Sequence, residues 1–125
     1  MPSSREVVEA YFALVKAGDP AVADIFTDDA QLVGLGTVTR GRPAIREFYA
    51  ESIIHGRPQP ELVGDLMIDG SRVAAEIEIG LGEQLSLHVV DLFQIDGDKI
   101  ASLTYFVCDH PGFPGVTDAR MGRRE

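Results

Sequence analysis

The sequence predicts an α+β domain in which three helical segments pack on one face of a curved antiparallel sheet. Three observations predict it. Apolar residues recur at helical spacing near the N-terminus, again after Asp19-Pro20 and again after Gly41 and Pro43. Beyond Pro60 the period changes from helical to alternating. Turn signals at Asp69-Gly70, Gly82-Glu83 and Asp96-Gly97 then separate the alternating runs, and connections this short join only antiparallel neighbours. Helices followed by a strand meander place the helices together on one side of the sheet.

The first helix begins at Ser3, three residues before Glu6, the spacing of a reciprocal cap. Val7, Val8, Tyr11, Leu14 and Val15 form its apolar face, and Gly18 ends it. Asp19 caps a short second helix that opens on Pro20 and runs through Ile25 and Phe26. Asp28 and Asp29 read as turn or cap residues leading into a strand near Ala30, which Gly34-Leu35-Gly36 interrupts. The third helix places Ile45, Phe48, Tyr49, Ser52 and Ile53 on one face. His55 to Pro60 reads as a loop. Strands are expected over 61–68, 72–81, 84–95 and 99–107.

At 125 residues and 13.5 kDa the chain holds one domain, assigned to residues 1–110, with a tail over 111–125 that has no clear period. A net charge of −9 disfavours phosphate backbones and anionic membranes, so neither nucleic acid nor membrane is an expected partner. No apolar run approaches the roughly 20 residues of a membrane-spanning helix. Nor is a secretory signal visible at the N-terminus, and a cytoplasmic protein is the expectation. Cys108 has no intramolecular partner, and His55, His88 and His110 are too scattered for a local metal motif, so no metal or cofactor is expected. Gly34-Leu35-Gly36 lacks the strand–turn–helix setting of a dinucleotide site.

The most informative stretch is Leu85 to Ile95. Alternation puts Leu85, Leu87, Val89, Asp91, Phe93 and Ile95 on one face, with Asp91 its single ionisable member. Desolvation there raises a carboxyl pKa, so Asp91 can stay protonated and donate a hydrogen bond. Two other readings stand beside this one: a structural carboxylate bonded to a neighbouring loop, or a bulge that turns it into solvent. Tyr11 and Tyr49 lie on apolar helix faces, where a tyrosine is ordinarily a core residue with its hydroxyl at the rim. Tyr105 shares a strand face with Leu103 and Val107 and adds a further hydroxyl to the same interior. Glu76 and Glu78 alternate with Ala75, Ile77 and Ile79, which places both glutamates in solvent. His88 falls on the face opposite Asp91, as a surface or interface residue.

Tyr11 to Asp19, Phe26 to Ala30, Ala44 to Ala50 and Val90 to Phe93 resemble, in consistent order, the bacterial ketosteroid isomerases of the SnoaL-like, nuclear-transport-factor-2-like superfamily. The resemblance implies a conical barrel, three helices on a strongly curved mixed or antiparallel sheet, with an apolar pocket and a homodimer formed through the outer sheet face. It implies that Tyr11 and a protonated Asp91 share the oxygen of an enolate derived from a hydrophobic, steroid-like ketone or enone, with Tyr49 supporting Tyr11. Val89, Phe93, Leu103, Tyr105 and Val107 are the expected pocket residues. The family's catalytic base is an aspartate on the first strand, and the matching position here is Gly34. An aspartate introduced at Gly34 is therefore expected to raise isomerase activity. Related pocket enzymes carry charged residues near Glu76 and Glu78, which makes these the candidate substitute bases and would turn them inward. Polyketide-cyclase-like or epoxide-hydrolase-like chemistry, and a non-catalytic lipophilic-ligand or dimerisation module, are the alternatives.

Overall fold

The computed structural model describes residues 2–81 and 85–108. Helix α1, Ser4–Ala17, carries the reciprocal cap read from the sequence: the Glu6 N–H donates to Ser3 Oγ at 3.2 Å, and the Ser3 N–H to Glu6 Oε1 at 2.8 Å. At its other end Gly18 is left-handed, φ 69°, and the N–H groups of Gly18 and Asp19 close on the carbonyls of Val15 and Leu14. Its buried stripe includes Phe12, while Leu14 is only half-buried. The second helical segment, Pro20–Ile25, is a 3-10 helix, with Asp19 Oδ1 accepting from the Ala21 N–H at 2.9 Å. Helix α2, Arg42–Gly56, buries Ile45 and Tyr49.

Strand β1 spans Phe26–Gly34, so it starts ahead of the expected position and includes Asp28 and Asp29. Those two residues are neither turn nor helix cap. The Asp28 carboxylate pairs with Arg42 at 2.8 Å, and Asp29 accepts from the Thr27 hydroxyl at 3.2 Å. A register shift between Phe26 and Gln31 absorbs the polar stretch. Strand β2, Thr37–Arg40, returns antiparallel on β1 through Leu35 and Gly36, both at positive φ. That is the geometry a two-residue hairpin needs.

The expected strand over 61–68 divides into β3, Pro58–Leu62, and β4, Met67–Asp69. Both pair antiparallel with β5, Arg72–Leu81, at different points along it. The division falls at Gly64, φ 83°, and β3 accommodates two prolines because it lies at the sheet edge. Strand β6, Leu85–Asp96, and β7, Lys99–Val107, complete the meander. The expected Gly82-Glu83 turn and the tail from 109 lie outside the described residues.

The sheet runs β2-β1-β7-β6-β5-β3, with β4 also on β5. It is mixed: β1 and β7 are parallel, every other pair antiparallel. The helices cover one face, where Tyr11, Phe12, Phe26 and Phe93 pack edge to face with ring centroids 5.1–6.1 Å apart. This aromatic cluster fills one part of the concave side. The rest stays open.

Candidate functional site

The open part is a cavity of about 320 Å³ between the two helices and the concave sheet face. That is at the lower end of the range for small-molecule sites. Strands β5, β6 and β7 supply Ile77, Ile79, Leu87, Val89, Leu103 and Val107 to its wall, and α2 supplies Phe48 and Ser52. Its remaining polar groups belong to Tyr11, Tyr49, Asp91 and Tyr105. The structure thus brings both helix tyrosines and the strand acid to one apolar hollow.

Alternation places Asp91 there. Its cross-strand partners are Ala75 on β5 and Tyr105 on β7, with no register shift at this row. It is 4% exposed, and among the described residues its carboxyl has no hydrogen-bond partner. Neither a bulge nor a loop contact among the described residues accounts for it. Desolvation alone pushes its pKa up to about 7, so near neutral pH the neutral and ionised forms are comparably populated.

Tyr11 and Tyr49 meet across the two helices, their hydroxyl oxygens 2.7 Å apart. Burial drives both phenols upward, Tyr11 well above the ordinary tyrosine value, and the nearby Asp91 and Tyr105 add to it. Both therefore remain protonated donors. With two hydroxyls and one mutual bond, one O–H stays available to a bound oxygen.

Phe93 departs from expectation. It is fully buried on the Asp91 side of β6 but packs against Tyr11 and Phe12, so it belongs to the aromatic core and not to the cavity wall. Glu76 and Glu78 lie on the opposite side of the sheet from Asp91 and are absent from the cavity wall. Glu76 Oε2 sits 2.7 Å from His88 Nε2, half-exposed on the outer face, and Glu78 is exposed. Period-2 geometry forbids Ile77 and its two neighbours from facing inward together, so neither glutamate turns toward the cavity as the resemblance implied.

Gly34 holds the largest surprise. A Cβ built on it would stand 2.3 Å from Cε2 and Cζ of Tyr105 and 2.5 Å from Cδ2. The Tyr105 ring occupies the volume a side chain at position 34 would need. An aspartate at position 34 therefore requires the Tyr105 ring to move. The next residue, Leu35, is 58% exposed, left-handed at φ 52°, and still part of the cavity wall. Holding a leucine there costs roughly 1–2 kcal/mol. Sequence reading missed Leu35 because a Gly-Leu-Gly turn signals only a chain reversal; Leu87 and Ile79, which alternation had put on the inward face, are cavity residues beside those expected.

Among the described residues no group of three His, Cys, Asp or Glu could hold a metal ion, and no helix is long and apolar enough to cross a membrane. Searched against curated proteins, the chain finds no match. Solved structures share its fold at low identity. A nuclear-transport-factor-2-like protein of unknown function from Cytophaga hutchinsonii superposes with a TM-score of 0.77 at 13% identity, covering 90% of this chain and 96% of that one. A candidate ketosteroid isomerase from Kribbella flavida gives 0.77 at 19% identity, over 86% and 78%. A candidate polyketide cyclase from Pseudomonas putida gives 0.74 at 25%, over 85% and 92%. The SnoaL-like domain model matches residues 8–103, most of the helices and sheet, and stops short of Tyr105 and Val107. The chain belongs to the SnoaL-like family.

Proposed function

We propose that this protein binds an apolar ketone or enone in the cavity and stabilises its enolate with hydrogen bonds from Tyr11 and neutral Asp91. The observation that carries this reading is the Asp91 carboxyl, without a hydrogen-bond partner among the described residues and buried in the same apolar cavity as the Tyr11–Tyr49 pair. A desolvated acid with no hydrogen-bond partner among the described residues is costly to keep. An oxygen that develops negative charge between this acid and the free O–H of the tyrosine pair offsets that cost. Structures of the same fold bear both isomerase and cyclase names, and either chemistry begins by polarising a carbonyl oxygen.

A second reading gives Asp91 the proton transfer itself. It is the only carboxyl among the described residues of the cavity wall, and at a pKa near 7 a good share is ionised. In this version the α C–H bond breaks, the proton joins the Asp91 carboxylate, and the electron pair settles on the carbonyl oxygen held by Tyr11.

The test is binding of a planar phenol whose absorbance reports its ionisation, followed by an enone isomerisation assay. Tyr11→Phe and Asp91→Leu should each weaken phenol binding about tenfold or more, the worth of one hydrogen bond to a charged oxygen. Binding indifferent to both changes ends the donor reading. Asp91→Asn separates the two versions. An amide still donates but takes no proton, so phenol binding survives it in the first version, whereas proton transfer to residue 91, and any turnover that depends on it, vanishes in the second.

A further inference from the structure

We propose that Tyr105, seated on Gly34, is a specificity residue whose hydroxyl takes a second oxygen of the bound carbonyl compound. The substrate class is then an oxygenated ketone, such as a hydroxy-ketone or a diketone, and not a ketone whose remaining skeleton is pure hydrocarbon. The inference rests on the proposed enolate site.

The seat comes first. Gly34 follows Val33, which pairs with Thr104 across the parallel β1–β7 ladder, and Tyr105 pairs in turn with Asp91. Gly34, Tyr105 and Asp91 thus form one row across the concave face. With no side chain at position 34, the Tyr105 ring lies down over the Gly34 backbone, within 2.5 Å of where a Cβ would stand. Any larger residue at 34 would displace the ring from this seat in the cavity wall.

The hydroxyl comes second. Tyr105 lines the cavity and is half-buried, and no hydrogen bond ties its hydroxyl to any described residue. Burial and the neighbouring Asp91 both hold its proton on. In the open cavity water can satisfy this group. A ligand that fills the cavity removes that water, and a hydrocarbon surface against the hydroxyl then leaves it unpaired. An oxygen at that point restores the bond. Phenylalanine would serve an all-hydrocarbon ligand better, so the hydroxyl discriminates between the two classes.

The experiment uses the full chain and calorimetric affinities for β-naphthol and a set of dihydroxynaphthalene isomers. Wild type should bind at least one diol about tenfold more tightly than β-naphthol, a gain of one hydrogen bond. In Tyr105→Phe the diol-to-naphthol ratio should fall to about one. A wild type that favours no isomer, or a preference that survives in Tyr105→Phe, overturns the proposal. Gly34→Ala should weaken β-naphthol binding, and adding Tyr105→Ala should restore it; an unchanged affinity in Gly34→Ala overturns the seating. Failure of the enolate site reads differently, as β-naphthol affinity indifferent to Tyr11→Phe and Asp91→Leu.

Discussion

Replacing Asp91 by asparagine tests the electrostatic basis of the site without reference to any substrate. Burial raises the Asp91 pKa from 3.8 to about 7. That rise corresponds to about 4 kcal/mol of penalty on the ionised form in the folded state. The direction follows from proton binding. Below about pH 4 the carboxyl is neutral in both folded and unfolded chains, and burial carries no ionic penalty. Between about pH 4 and pH 7 the folded chain holds a proton that the unfolded chain has lost, so stability declines as pH rises. Above about pH 7 the loss is complete and the contribution is flat. The amide of the Asp91→Asn variant has no such proton to lose. Urea unfolding of both proteins across this range should therefore show the variant gaining about 4 kcal/mol on wild type from about pH 4 to pH 8. A constant offset from the unpaired amide leaves this pH-dependent difference untouched. For a domain whose total stability is about 5–15 kcal/mol, the effect is large. A difference that stays level with pH would mean that Asp91 ionises as freely as in water, and the desolvated-acid argument would be refuted.

Two further outcomes follow from the β1–β2 corner. Gly34→Asp should destabilise by about 1–3 kcal/mol through overpacking against Tyr105, with no gain in isomerase activity; thermal unfolding and the enone assay check both, and pairing it with Tyr105→Ala should recover the stability. Leu35→Asn should stabilise the hairpin by about 1 kcal/mol, because asparagine tolerates positive φ, while weakening binding of apolar phenols at the cavity wall; stronger binding would show that Leu35 obstructs the site.

Comparing the chain with its fold shows which signals carried. Ser3 and Glu6, Gly18 and Asp19-Pro20 act within a few residues of themselves, and each does in the structure what its spacing predicts. Asp91 was legible because alternation is enforced by the pleat, whatever the sheet packs against. The same rule placed Glu76 and Glu78 outside; only the family resemblance suggested turning them inward. Strand β2 and the division at Gly64 were not legible, since strands of three to five residues carry too few residues to show a period.

By itself the sequence determined the helices, the strand meander and the isolation of one acid among apolar neighbours, all of which follow from local spacing and from which side chains avoid water. Only tertiary structure decided that β1 lies parallel to β7, that Tyr11 and Tyr49 touch across two helices, and that Tyr105 lies over Gly34. Those contacts join residues 38 or more positions apart, where no periodicity reaches and steric fit between distant surfaces chooses the partner.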